Sequence, residues 1–193
     1  HPLDDYKLVL DHSDLVHISS LVTDENSDTY VGTNIKIGGM IVNLEKKNTK
    51  KGGFLYTFTL RDMSGDINCV CFERSYQKNL GKIQEGSKVS IFGKFDENDF
   101  GPQFIVDTIT YLDNVSENIV AIDLFSDKDL HTARNQYLEL ASLVPNDIGN
   151  IKLNFLRNGQ IQPGIHKGKL SLEFFAQLQN IFGENACKLV YKA

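Results

Sequence analysis

A small closed β-barrel followed by a small α/β domain is the fold class this sequence predicts, and three observations carry it. Between residues 35 and 113 lie five strand-like apolar runs, interrupted once by a helical run. The first run is long and contains Gly38-Gly39, which lets a strand bend sharply in its middle. After residue 118 the pattern changes to strands alternating with helices.

The chain opens on His1-Pro2-Leu3-Asp4-Asp5-Tyr6, with a proline and two acids placed as in the first turn of a helix. Leu3, Tyr6, Val9 and Leu10 would share one face of it. So abrupt a start reads as a boundary cut inside a longer protein. Residues 23–28 are polar, acidic and aperiodic, so 1–34 reads as an N-terminal helix and an acidic connector.

Residues 35–46 form the kinked first strand, and Lys46-Lys47-Asn48-Thr49-Lys50-Lys51-Gly52-Gly53 follows as a basic loop. Residues 54–62 alternate with the period of two that marks a half-buried strand. Met63-Ser64-Gly65-Asp66 is a tight turn, 67–72 a third strand, and 73–80 a short helix ended near Gly81. Residues 88–95 and 104–112 are two more strands, joined by the loop Asp96-Glu97-Asn98-Asp99-Phe100-Gly101-Pro102-Gln103. Three strands, a helix and two strands, the first kinked, is the order of a five-stranded OB Greek-key barrel over 35–113. Such barrels bind oligonucleotides across strands two and three, and in the loops joining strands one to two and four to five.

A polar linker, 114–118, separates the second domain, 119–193. Residues 119–125 are a strand. Ser126 or Asp127 caps a helix running to about Leu143, on apolar positions Leu130, Ala133, Tyr137, Leu140 and Val144, and Pro145-Asn146-Asp147 stops it. Residues 151–156 are a strand, Asn158-Gly159 a hairpin turn, and 160–166 a return strand weakened by Pro163-Gly164. Ser171 caps a helix over 172–182, with Glu173 in its first turn and Gly183 past its end, and 187–191 is the last strand. This order suggests a small α/β sandwich of the ferredoxin-like βαββαβ type.

A chain of 193 residues accommodates two small domains, and its 41% hydrophobic and 23% charged content is that of an ordinary globular protein. No run approaches the roughly 20 apolar residues of a membrane helix, and no leader peptide is visible. Cys69, Cys71 and Cys187 are an odd set without disulfide spacing, which fits a reducing cytoplasm. The net charge of −5 is uneven: −6 over residues 1–34, +1 over 35–113 and zero over 114–193. The barrel therefore lacks a global basic footprint, and any grip on a single strand is expected to be weak by itself.

Four lysines nevertheless crowd one loop. Lys46, Lys47, Lys50 and Lys51 suit phosphate contact, with Gly52-Gly53 letting backbone N–H groups approach an anion. The competing reading is a solvated hairpin tip whose lysines block edge pairing. On the second strand Phe54, Tyr56, Phe58 and Leu60 form the apolar parity expected in the core, so Thr57, Thr59 and Arg61 would face a ligand. Arg61 suits a phosphate or a base. Phe72 is either a stacking platform or packed under the helix, with packing the favoured reading, and Phe100, at a loop tip without an obvious core partner, is expected to stack on a base.

Other clusters read as structural. Cys69 and Cys71 lack the further ligands that a metal needs and read as core. Asp96-Glu97-Asn98-Asp99 reads as a solvated turn. His12, His17, His131 and His166 are scattered, and no nucleophile, base and orienter coincide, so no catalysis, metal or cofactor is assigned to this stretch. Gln177-Leu178-Gln179-Asn180-Ile181-Phe182 faintly resembles a sliding-clamp-binding peptide but sits in a capped helix.

Several stretches resemble one family. His1-Pro2-Leu3-Asp4-Asp5-Tyr6 resembles the hexapeptide that follows the polymerase core in the alpha subunit of bacterial DNA polymerase III. Gly38-Gly39-Met40-Ile41, Thr49-Lys50-Lys51-Gly52, Thr59-Leu60-Arg61-Asp62-Met63-Ser64-Gly65, Val70-Cys71-Phe72, Gly86-Ser87-Lys88-Val89 and Phe92-Gly93-Lys94 are similar to that subunit's OB domain. The sequence departs from the family at Arg61, where an acid is usual, and at Cys69 and Cys71, where Val-like residues are usual. The resemblance implies the C-terminal part of a replicative DNA-directed polymerase, without its catalytic carboxylates. It implies an OB domain near single-stranded template and a domain, 119–193, that docks the tau subunit of the clamp loader, both joined to the rest of the polymerase chain. Two other classes stay open: an anticodon or tRNA-binding OB module of a synthetase, and a protein-interaction scaffold that binds no nucleic acid.

Overall fold

A computed structural model describes residues 1–23, 27–145, 148–164 and 166–193 and divides the chain into two units, His1–Ser116 and Glu117–Ala193. In the first, a 3-10 turn (Asp4–Tyr6) leads into helices α1 (Lys7–His12) and α2 (Ile18–Val22). Leu3, Val9 and Leu10 are buried as their spacing suggests, with Leu8 beside them, and the Tyr6 hydroxyl donates to Asp113 Oδ1 at 2.6 Å. Helix α2 is too short to announce itself by periodicity. Its Ile18 and Leu21 join the barrel core, and its first turn is held by Asp62. Asp62 Oδ2 accepts the Ile18 N–H at 2.9 Å, while Oδ1 accepts the Ser64 N–H, the Ser64 hydroxyl and the Gly65 N–H. Residues 24–26 of the expected acidic connector lie outside the described residues, and Ser27–Thr29 form a second 3-10 turn.

Strands β1 (Asn34–Asn48), β2 (Phe54–Arg61), β3 (Asp66–Phe72), β4 (Lys88–Asn98) and β5 (Gly101–Tyr111) close a barrel in the order β1-β2-β3-β5-β4, with α3 (Glu73–Lys78) between β3 and β4. This is the OB barrel the element order predicts. β1 pairs with β4 from Asn34 to Met40 and with β2 from Met40 to Asn48, which closes the ring. Its irregularity falls between Val42 and Glu45, not at Gly38-Gly39. There Asn43 takes a φ of 56°, and Glu85 accepts the N–H groups of Asn43 and Leu44 at 3.0 and 2.9 Å. Gly39 serves close approach instead, since a Cβ there would lie 2.5 Å from the Arg61 carbonyl oxygen. The expected loop 96–103 is mostly strand. Pairing continues through Asp96↔Gln103 to Asn98↔Gly101, leaving only Asp99 and Phe100 in the turn.

Inward parity fills the barrel with Phe58, Leu60, Ile91, Phe95, Phe104 and Ile109, together with Cys69 and Cys71. Burial pushes both thiols up, Cys71 to about 12, so they sit in the core as protonated, unreactive groups. After α3, buried Asn79 ties helix to sheet: its amide donates to the Ser75 and Asp107 carbonyls and its Oδ1 accepts the Ile109 N–H. Helix α4 (Leu112–Glu117) occupies most of the stretch read as a polar linker.

The second unit is a mixed α/β sheet domain with strands β6 (Ile119–Phe125), β7 (Ile151–Arg157), β8 (Gln160–Ile161), β9 (His166–Gly168) and β10 (Cys187–Tyr191), and helices α5 (Leu130–Leu143) and α6 (Leu172–Phe182). The sheet order is β10-β6-β7-β8, with β9 also on β7. A ferredoxin-like topology would put the return strand between the two parallel ones. Here β6 and β7 pair directly, from Ala121↔Lys152 to Phe125↔Leu156, and the return strand lies on the far side of β7. Pro163 lacks an N–H, and the return strand is broken into pieces of two and three residues, which suits an edge and not a centre. Asn158 and Gly159, with φ of 51° and 74°, make the expected tight hairpin turn.

The cap of α5 is Asp129, whose carboxylate accepts the Thr132 N–H at 3.0 Å, not Ser126 or Asp127. Ser126, just past β6, is spent otherwise: its N–H donates to the Leu156 carbonyl and its buried hydroxyl to Gln136 Oε1. The strand ends at Phe125 as expected, and the helix starts three residues later than a Ser126 cap would give. Of the stop after α5, Asn146 and Asp147 lie outside the described residues. Ser171 caps α6 as expected, and Phe175, Leu178 and Phe182 are buried. Among the described residues no helix is long and apolar enough to cross a membrane.

Candidate nucleic-acid interface

The outward parity of β2 and β3 builds a grid that only the barrel registers reveal. Thr59 lies between Val42 of β1 and Asn68 of β3, and Asn68 faces Gln103 of β5, which faces Asp96 of β4. One rung away runs Glu45, Thr57, Val70, Ile105 and Lys94. Phe58 and Leu60 are buried on the opposite face, so Thr57 and Thr59 point outward as their alternation predicts. The face mixes hydroxyl, amide and aliphatic groups with charges of both signs, which suits sequence-tolerant contact with a chain better than tight charge pairing.

Arg61 shares that face but is engaged. Its Nε and Nη2 donate to Asp66 Oδ1 and Oδ2 at 2.8 and 2.7 Å across the β2–β3 hairpin. This fork is the strong geometry for a guanidinium and a carboxylate, and the Arg61 hydrogen bond holds the Asp66 carboxyl below its usual range. A phosphate reaching Arg61 has to compete with Asp66.

The lysines of the β1–β2 hairpin divide into two kinds. Lys46 Nζ sits 4.3 Å from the Phe54 ring centroid, and Lys47 pairs with Glu45 at 3.3 Å. Lys50 and Lys51 occupy the exposed turn and have no ion-pair partner among the described residues. The backbone of Gly52-Gly53 is not open to an anion: the Gly52 N–H donates to the Thr49 carbonyl and the Gly53 N–H to Thr49 Oγ1, both at 3.1 Å. Phe54 and Tyr56 have core parity but emerge at the barrel end, where Tyr56 stacks on Tyr76 of α3 at 4.4 Å. That aromatic pile gives the hairpin a rigid root.

Phe100 stands at the tip of the β4–β5 hairpin with 98% of its surface exposed, beside Glu97 and Asp99. Phe72 overturns its expectation. It is 49% exposed on the outer face opposite Leu55, because it is the extended N-cap of α3 and the chain turns only after it. Its parity with Asn68 and Val70 was the signal available in the sequence. Among the described residues no group of three or more His, Cys, Asp or Glu could hold a metal ion.

A family model described as an OB-fold nucleic acid binding domain, named for the tRNA anticodon, matches residues 35–112. DNA polymerase III subunit alpha of Deinococcus radiodurans is 31% identical over 97 residues, 50% of this chain and 7% of that protein. The Aquifex aeolicus subunit is 33% identical over 98 residues, 51% of this chain and 8% of its own length. The matched region is thus homologous to a small part of the alpha subunit and contains an OB-fold domain. Among solved structures, the second OB-fold domain of replication protein A from Methanococcus maripaludis is 19% identical, covering 42% of this chain and 85% of that one at a TM-score of 0.35. A single-stranded-DNA-binding-protein (SSB) domain from Synechococcus is 8% identical, covering 40% and 93% at a TM-score of 0.37.

Proposed function

We propose that this chain, homologous over half its length to a segment of DNA polymerase III subunit alpha, is a non-catalytic part of a replicative polymerase working in the cytoplasm. Its barrel contacts single-stranded DNA template, and residues 119–193 dock the clamp-loader tau subunit. One observation carries the first half: Lys50 and Lys51, in the exposed turn and without an ion-pair partner among the described residues, stand at one end of an outward β2–β3 face whose threonines are free of the core. Ammonium groups there neutralise phosphates without reading bases, and Phe100 and Phe72 offer rings to them. The docking half rests on family resemblance alone.

Fluorescence anisotropy with labelled oligothymidine at low salt tests the DNA contact. Weak binding that falls as salt rises is expected; no binding at any protein concentration leaves only docking. A pull-down with tau tests the second half, and capture that persists without residues 119–193 assigns docking elsewhere. The anticodon name of the matching family model favours a second reading, a tRNA contact. Preference for an anticodon stem-loop over oligothymidine would select it.

A further inference from the structure

We propose that the second unit carries a docking groove for an apolar peptide segment flanked by carboxylates. The groove has a volume of about 820 Å³ and is lined by residues of α5, β7 and the segment after β8. Tyr137 and Phe155 line it with rings that meet edge to face at 5.6 Å, and Leu130, 71% exposed, lines it too. An apolar concavity of this kind takes an aliphatic or aromatic anchor.

Two guanidinium groups border the same space. Arg134 is exposed and has no ion-pair partner among the described residues. Arg157 Nε–H is shut off from water with no acceptor, and only Nη2 reaches a carbonyl, that of Lys128, at a long 3.4 Å. Arg157 is half-buried and held by that one long hydrogen bond, so its guanidinium is free to turn toward an acceptor that a ligand brings. A carboxylate is the matching acceptor, and the fork geometry of arginine favours it.

The surroundings select a peptide over a nucleic acid. Residues 114–193 carry equal numbers of basic and acidic side chains, so this unit lacks the net positive field that a continuous polyphosphate needs, whereas a short peptide with a carboxylate at each end needs only the two arginines. Tyr137 makes edge-to-face contacts with both Phe155 and His166, so these rings pack on one another and do not present parallel faces for a base. The inference gives a site and a ligand class to the partner docking proposed for residues 119–193 and rests on that reading only for the partner's identity. Peptide binding here without capture of tau would sink the partner and keep the groove, and capture of tau without peptide binding the reverse.

The test is a heteronuclear NMR titration of the full chain with two tetrapeptides, both N-acetylated and C-terminally amidated, Glu-Leu-Phe-Glu and its isostere Gln-Leu-Phe-Gln. The expected result is saturable shifts at Leu130, Arg134 and Phe155 and at the Arg157 side-chain N–H, with the glutamine peptide weaker by about tenfold. R134Q and R157K should each weaken the glutamate peptide while leaving the remaining spectrum in place. If R157K does not fold, the peptide pair on the wild-type chain still decides. Equal affinity for the two peptides, shifts confined to other surfaces, or oligothymidine perturbing the same groove signals would each overturn the proposal.

Discussion

The two hairpins that flank the outer face of the barrel are built on opposite plans. The β1–β2 hairpin carries lysines on an aromatic root, with Lys46 on Phe54 and Tyr56 stacked on Tyr76. The β4–β5 hairpin carries Asp96, Glu97 and Asp99 and one bare ring, Phe100. One supplies positive charge and the other an exposed ring set among acids. On the proposed reading, the difference divides attraction for a strand between a salt-sensitive lysine end and an end whose attraction comes from stacking.

The largest expected effect concerns how each hairpin is anchored. Gly93 sits at the β4 register shift, and a Cβ there would lie 2.1 Å from the Ile105 carbonyl oxygen. Gly93→Ala should therefore cost about 3 kcal/mol or more by urea denaturation. Gly52→Ala meets nothing within 4 Å and should cost only about 1 kcal/mol, from its φ of +85°. Similar losses at both sites would erase this contrast.

Next comes charge against ring. Replacing Lys46, Lys47, Lys50 and Lys51 together by Ala should weaken oligothymidine binding roughly 10- to 100-fold at low salt and flatten the salt dependence. Phe100→Ala should cost about 1 kcal/mol of binding, near fivefold, with the salt slope unchanged. A slope altered by Phe100→Ala, or untouched by the lysine changes, would break the division of labour between the two ends.

A smaller effect is expected where the face restrains itself. Asp66→Asn releases the Arg61 fork and should raise affinity about two- to threefold, with the gain absent when Arg61→Ala is added. The same pair is readable by pH. The Asp66 carboxyl is held below its usual range in the folded state, so its contribution to stability is fully present above the ordinary aspartate value. It is lost as pH falls through the lowered folded value. Urea midpoints of wild type and Asp66→Asn should differ slightly at neutral pH and converge in acid; a gap that persists in acid would place the effect elsewhere.

Much of the first unit was legible because its signals are local. The alternation of Phe58 and Leu60 against Thr57 and Thr59 reads out directly as in and out, and Phe100 stands at a tip because its flanking strands pair as far as Asn98 and Gly101. The lysine cluster is equally visible, but its fate is not. Glu45 and Phe54 take up Lys47 and Lys46, and Thr49 takes up the Gly52 and Gly53 N–H groups, through contacts that depend on register.

The sequence by itself determined the order of the five barrel strands, the in-and-out alternation of β2, the turn at Asn158-Gly159 and the cap at Ser171, since periodicity and capping act within a few residues. Tertiary structure alone decided that Arg61 spends its fork on Asp66, that Glu85 pins the β1 bulge, and that β6 lies directly beside β7. Each of these joins groups through strand pairing or chain reversal. Such encounters are chosen by which backbone donors and side chains can be satisfied together in the whole fold, a competition that no short window of residues contains.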